Sequence, residues 1–247
     1  MSLLTIYQKE ARYDLLSAWR TPGFFLPALL FPVLFYAFFG VMFAGAGNAA
    51  YLLVTYGCFG IMGPALFNFA INIASDRAHG WLTLKQLSPM PVGAYVAAKL
   101  LTSMIFALII LLLLYGVATL AGDVRLELQQ WLLLTLVLLL GTLPFALIGL
   151  LLGLTLSDKA APGVVNLIYL PMAFLSGLWI PVTMLPQALQ HLSWLWPSYH
   201  LSQLGLKVVQ MDQGHTLWLH LSLLLLTSGL LSLITVVIFR RQSPGRA

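Results

Sequence analysis

Long apolar runs separated by short polar breaks set the pattern of this chain. No charged residue occurs between Thr21 and Ala74, and the turn signal Gly45-Ala46-Gly47-Asn48 divides that stretch in two. Apolar runs cover 23–44, 51–74, 94–121, 131–156, 162–181 and 216–239. Each is about as long as a helix must be to cross the ~30 Å hydrocarbon core of a bilayer. The pattern predicts an all-α polytopic membrane protein with six transmembrane helices, the first two forming a hairpin. Pro27, Pro32, Gly141 and Pro144 lie inside runs, where neighbouring helices can satisfy the backbone groups they free.

Three stretches depart from the apolar pattern. In residues 1–20, Leu4, Tyr7, Ala11, Leu15 and Ala18 recur at steps of three or four, with Lys9, Arg12 and Tyr13 elsewhere on the wheel. That spacing predicts an amphipathic helix lying in the membrane interface. The segment also carries Glu10 and Asp14 and lacks the form of a cleaved signal peptide. Residues 75–91 hold Asp76, Arg77, His79 and Lys85 and close on Pro89 and Pro91. A compact charged insert between two spans is expected in water, where a partner can touch it. Residues 184–214 are too polar and broken to span, yet rich in Trp and Tyr; they predict a partly re-entrant segment buried against protein on the outer side.

Composition agrees with a membrane solvent. The 247 residues are 60% hydrophobic and 8% charged, with a mean hydropathy of +0.95, whereas soluble domains carry about 25% charged residues. The net charge of +5 follows from cation placement and is no sign of nucleic acid. With six spans both termini share one side, and that side holds ten of the twelve Lys and Arg residues, leaving only Arg125 and Lys207 opposite. The positive-inside rule therefore puts both termini in the cytoplasm of a cell membrane, of the bacterial inner-membrane kind, and residues 1–247 form one lipid-embedded domain. The single cysteine, Cys58, sits in an apolar run and can form no intrachain disulfide.

Candidate chemistry is sparse. No Lys follows a Gly, so a phosphate-binding loop of the G-x-x-x-x-G-K type is absent. The five His are scattered without metal-ligand spacing, and Ser176 lacks the frame of a nucleophile elbow. No catalytic residue, metal or cofactor is expected in this chain. The spans carry no carboxylate at mid-depth to serve an ion-coupled carrier, so energy for uphill movement would come from a partner. Among the few polar span residues, Asn68 and Asn72 are four apart and share a helix face. Two readings stand for them: interhelical hydrogen bonding, or lining a solute path with Phe59, Met62 and Phe67. Thr55, Asn166 and Tyr169 also stand out among the polar span residues.

Two stretches resemble the permease subunits of type-2 ABC exporters. The first is Asp76-Arg77, Gly80, Leu84, Leu87 and Pro89, with Asp76 where Glu is commoner in that family and Trp81 where Thr is usual. The second is Phe174-Leu175-Ser176-Gly177, followed by Pro181, Leu185-Pro186, Leu189, Leu192 and Pro197. The resemblance implies a permease that pairs with a second permease subunit, identical or related, above separate ATP-binding subunits that carry ATP and Mg. It implies that 75–91 is the coupling helix, with Asp76, Arg77, Gly80 and Leu84 at the contact. It also implies a solute path between spans two and five, near Asn68 and Asn166, for a hydrophobic or amphipathic small molecule such as a drug, peptide or lipid. The competing readings are a non-transport membrane protein, such as a sensor or assembly factor, and an ion-coupled carrier.

Overall fold

A computed structural model of the chain describes residues 2–43, 45–88 and 90–242; Ala44, Pro89 and the tail with Arg246 lie outside the described residues. Those residues form helices and connecting turns, with no strand among them. In order they are α1 (Leu3–Trp19), α2 (Pro22–Phe35) with a π-helical continuation Tyr36–Phe43, α3 (Gly45–Ala78), α4 (Trp81–Leu87), α5 (Val92–Leu120), α6 (Leu128–Leu140), α7 (Thr142–Thr155), α8 (Ala161–Leu175), α9 (Gln187–Ser193), α10 (Pro197–Val208) and α11 (Leu217–Gln242).

Four stretches are helical and apolar over a membrane-spanning length: Asn48–Ala78, Val92–Leu120, Leu128–Thr155 and Leu217–Phe239. Leu26–Met42 and Ala161–Leu175 are apolar but shorter. Gly141 keeps helical backbone, φ −65° and ψ −7°, so α6 and α7 run on as one rod. The turn expected at Gly45–Asn48 is instead the first turn of α3. Glycine costs a helix only about 1 kcal/mol relative to Ala, which the packing of so long a helix outweighs.

The centre of the bundle is α3. Its most apolar stretch is 78% buried, against 17% for α11, which lies at the periphery. Around α3 pack α2, α5, α7, α8 and α10. The nearest approach is to α7, where Gly149 and Gly153 lie one helical step apart. A Cβ on Gly149 would come within 2.6 Å of the Leu66 carbonyl oxygen, and one on Gly153 within 2.8 Å of Ile73 Cβ. This small-xxx-small seam lets two backbones touch where dispersion, not the hydrophobic effect, must hold helices together.

The segment after α8 follows from Gly177. Its φ of +75° places it in the left-handed region. Gly177 N–H donates to Phe174 O and Leu178 N–H to Ala173 O, both at 3.1 Å. These two bonds make a Schellman cap, and a Cβ there would also strike Val182. The capped chain then turns back so that α10 is buried from Pro197 to Leu206. Ser176 and Ser198 join hydroxyls, and Cys58 Sγ–H of α3 donates to Ser198 O at 3.7 Å.

The seam yields a direct test. Gly149→Ala pushes a methyl against backbone that cannot step aside, and should destabilise by about 1–3 kcal/mol. Gly116→Ala meets nothing within 4 Å and should be neutral or stabilising by up to about 1 kcal/mol. Thermal unfolding of the detergent-solubilised chain, followed by size-exclusion fluorescence, compares the two.

Candidate coupling site at the charged end of the bundle

The charged insert is two elements joined by a hinge-like turn. Helix α3 continues through Ala78, with His79 N–H donating to Ser75 O at 3.0 Å and Gly80 N–H to Arg77 O at 3.1 Å. Gly80 then takes φ +74°, which redirects the chain, and α4 starts at Trp81. Residues 75–91 are therefore not one helix: Asp76 and Arg77 belong to the last turn of α3, ahead of the turn. The physical reason is that nothing before Gly80 breaks a helix, while Gly80 tolerates the left-handed backbone the reversal requires.

Both charges turn toward protein. Arg77 Nη1 donates to Gly153 O at 3.0 Å and to Leu156 O at 3.3 Å, so a cation caps the carbonyl end of α7. That position is favoured by the helix dipole as well as by the bonds themselves. Asp76 Oδ2 accepts from the Tyr95 hydroxyl of α5 at 2.6 Å.

Helix α1 closes the arrangement. Glu10 and Asp14, one turn apart, face Lys85 of α4 and Lys99 of α5 respectively. Lys85 Nζ pairs with Glu10 Oε1, and Lys99 Nζ with Asp14 Oδ1 at 2.9 Å. The Lys99 side chain is only 4% exposed, so this pair is essentially out of water. The Tyr95 ring lies beneath both ammonium groups, 4.5 Å from Lys85 Nζ and 4.9 Å from Lys99 Nζ. A ring face attracts each cation by about 0.5–2 kcal/mol. The result is a clasp in which one aromatic ring, two ion pairs and one carboxylate–phenol bond tie α1, α3, α4 and α5 together.

Outside the clasp, α4 presents an apolar edge. Trp81 is 57% exposed, Leu84 58% and Leu87 80%, while Leu82 packs inward. Three large apolar side chains on a seven-residue helix are more than solvation explains, and they form one contiguous strip. Of the four residues expected at the partner contact, Leu84 lies on that strip. Gly80 forms the turn, and Asp76 and Arg77 have partners inside the protomer.

The residues proposed for a solute path divide into two groups. Phe59 and Met62 are fully buried. Phe59 stacks on Tyr169 at 4.9 Å and 21°, and the Tyr169 hydroxyl donates to Phe59 O at 3.1 Å. Asn68 is also buried; its Nδ2 donates to Lys99 O at 3.2 Å and Ser103 Oγ at 3.1 Å. It therefore makes the interhelical bonds of the first of its two readings. Asn72 Nδ2 donates to Asn68 Oδ1 at 2.6 Å and remains half-buried, as does Phe67, which meets Tyr169 edge-on. Asn166 is exposed on α8, its Nδ2 held by Pro162 O at 3.1 Å.

Glu10, Asp14 and Tyr95 are the clasp members that the sequence pattern does not single out; it places Lys85 in the charged insert open to a partner and counts Lys99 only among the cytoplasmic cations, whereas both have partners inside the protomer. A signal was present: the chain has seven acidic residues, and two of them stand four apart on a helix otherwise placed by its apolar spacing.

Comparison with known proteins gives two matches. A family model described as ABC-2 type transporter matches residues 7–211. A Bacillus subtilis (strain 168) protein carrying the name "Putative transport permease YvfS" is 26% identical over 245 residues, which covers 97% of this chain and 99% of its own. The matched region takes in α1 from Tyr7, the clasp, and the whole path to the end of α10.

The buried pair of the clasp should behave as a coupled unit. Lys99→Met strands the Asp14 carboxylate and should cost about 3–5 kcal/mol, whereas Lys99→Met with Asp14→Leu replaces both charges and should recover most of that loss. Unfolding midpoints of the two single variants and the double variant measure the coupling; strictly additive losses would rule the pair out as a unit.

Proposed function

This chain belongs to the ABC-2 type transporter family, and from that premise we propose that it is one permease half of an ATP-driven exporter, with α4 as the docking element for a separate ATP-binding subunit. The resemblance read from Asp76-Arg77-Gly80 and from Phe174–Gly177 agrees with the family match. The chain is a multi-pass membrane permease of an ABC transporter. The finer reading adds six spans. The four long helices cross, and the shorter apolar helices Leu26–Met42 and Ala161–Leu175 complete the count. Both termini and α4 then face the cytoplasm of a cell membrane, a placement that the distribution of Lys and Arg supports.

The observation that carries the proposal is the exposed strip Trp81–Leu84–Leu87 on a frame of internal ion pairs. A helix of seven residues is marginal alone, so its fixed presentation depends on the clasp. Force applied to α4 has four routes into the bundle: through the Gly80 turn to α3, through Lys85–Glu10 to α1, onward through Asp14–Lys99 to α5, and through Arg77 to α7. ATP-driven closure of the partner subunits supplies the bias between two arrangements of the helices; ATP and Mg belong to that partner. Asp76 and Arg77 serve the contact by holding the end of α3, and Leu84 by touching the partner.

The solute path of this reading runs along the outer seam of α3 and α8, facing a second permease copy. Asn166 stands on that face beside exposed Leu167 and Leu170, where lipid alone would be a poor neighbour for an amide. Phe67 and Asn72 border it, and Phe59, Met62, Asn68 and Tyr169 back its wall. A path so apolar suits a hydrophobic or amphipathic solute.

Co-purification with the ATP-binding partner tests the docking. Replacing Trp81 and Leu84 by Ala should weaken capture at least tenfold while leaving the unfolding midpoint within about 1 kcal/mol of the parent, since exposed sites contribute little to the fold. Arg77→Glu should lower the midpoint itself. Undiminished capture by the Trp81/Leu84 variant would sink the docking assignment.

A further inference from the structure

At the end of the bundle opposite the clasp, three histidines and a tryptophan meet. His200 of α10 and His220 of α11 are both buried, and their Nδ1 atoms lie 3.0 Å apart. His200 Nε2 lies 2.8 Å from Trp194 O. The Trp194 ring packs on His200, His215 and His220 at centroid distances of 5.9, 5.0 and 6.1 Å. Tyr199 packs on both members of the pair.

Hydrogen positions follow from the partners. A carbonyl only accepts, so His200 Nε2 carries a hydrogen and donates to Trp194 O. Neutral His200 therefore offers its Nδ1 lone pair, and His220 Nδ1–H donates to it. That leaves His220 Nε2 as a bare lone pair, buried and without a hydrogen-bond partner in the protein. The contact between α10 and α11 thus contains a directed chain, His220 to His200 to Trp194 O, that is satisfied only with both rings neutral. A proton on His220 Nε2 would create a buried N–H with nothing to accept it. One on His200 Nδ1 would set two donors against each other, or would force His220 into the tautomer whose buried Nε2–H has nothing to accept it.

We propose that this pair is a proton-operated latch that holds α10 against α11 and releases it when the adjacent compartment becomes acidic. The surrounding charges do not replace it. Lys207 of α10 and Asp212 after it neutralise each other. Burial would raise the Asp212 carboxyl, but the Lys207 ammonium and the Gly214 N–H outweigh it and hold it below the usual carboxylate range. Tyr199 donates to Gln213 Oε1 at 2.9 Å. His215 is partly exposed; Tyr51 of α3 is the remaining ionisable group near Tyr199. Helices α6 and α7, which also pack on these elements, carry no ionisable residue. Among the described residues no group of three His, Cys, Asp or Glu is placed to hold a metal ion, and the two Nδ1 atoms lie at hydrogen-bond distance.

The sign follows from linkage. Burial holds His200 below the ordinary imidazole value while the latch is closed. Opened, both rings return toward ~6.5. The closed contact is fully favoured above that value and loses ground as pH falls through it, because the open form binds more protons. Between pH 7.5 and 5.5 a freed ring shifts the balance by up to about tenfold, and two shift it by up to about a hundredfold.

Hydrogen exchange of the full chain in lipid nanodiscs reads this directly, because both faces meet the same buffer. After correction for the chemical exchange rate, protection across α10 and the start of α11 should fall by more than about tenfold and at most about a hundredfold from pH 7.5 to 5.5. The fall should be at most about tenfold in His200→Gln and in His220→Asn, and absent when both are replaced; if the double variant does not fold, the two single variants decide. Equal protection at both pH values in the unaltered chain, or a full pH response in either single variant, overturns the latch. Which compartment it senses rests on the six-span topology. That is checked separately by labelling Thr216→Cys, in a Cys58→Ala background, with a membrane-impermeant maleimide in sealed vesicles. Labelling from the outer side is expected. Labelling only from the inner side overturns the sidedness and the topology, while the exchange result still decides the latch.

Discussion

Everything in this bundle is arranged around the backbone contact between α3 and α7. In a bilayer, side chains gain nothing by leaving lipid for protein of equal apolarity, so close packing must supply what burial supplies in water. Gly149 and Gly153 provide it by exposing backbone to backbone; a methyl at Gly153 would lie 2.9 Å from Phe69 O. With one face of α3 fixed in this way, its remaining faces are committed to α5, α8 and α10. The same contact brings the carbonyl end of α7 beside the last turn of α3. Arg77 is within reach of Gly153 O because Gly153 is where the helices touch.

The polar chemistry that follows is a matter of register more than of net stability. A buried ion pair contributes little overall, since desolvation nearly offsets its attraction, but leaving one partner alone is costly. Glu10 and Asp14 stand one turn apart on α1 and must meet Lys85 and Lys99 on two different helices. Sliding α1 by one residue turns both acids away from both cations. The clasp therefore selects one placement of α1 against the bundle, and Tyr95, between the two lysines and bonded to Asp76, fixes α3 in the same choice.

Much of this was legible in the sequence, for identifiable reasons. The apolar runs announce helices because a membrane solvent leaves the backbone no other way to satisfy itself. The α1 helix showed in its three-and-four spacing, whereas in 184–214 the continuously buried stretch is Pro197–Leu206, and Met184 and Leu195 stay exposed. The left-handed cap at Gly177 gives the physical reason for a glycine at the end of Phe174–Gly177. What escaped were pairings across distance. Glu10 and Lys85 are 75 positions apart, and Arg77 reaches a carbonyl 76 positions away. No local pattern declares such contacts. For the same reason 75–91 looked like one charged helix: the wheel shows Asp76 and Arg77 as polar, but not that both point inward. The His200–His220 pair was hidden likewise, because two histidines twenty positions apart share no local pattern.

The geometry also fixes the direction in which influence can travel. A seven-residue helix has no independent stability, so the strip Trp81–Leu84–Leu87 is only as well placed as the clasp that holds it. A partner that binds the strip better in one arrangement of α1, α3 and α5 stabilises that arrangement by the difference in its two affinities. By the same reciprocity, anything that shifts those helices changes the partner's hold on α4 by an equal free energy. On the proposed reading, solute between two permease halves and ATP on the partner would thus be coupled through a few named bonds, none of which touches either ligand. Conformational work in such a chain needs no catalytic residue of its own; it needs a stiff connection, and the buried charges supply one that tolerates few alternatives.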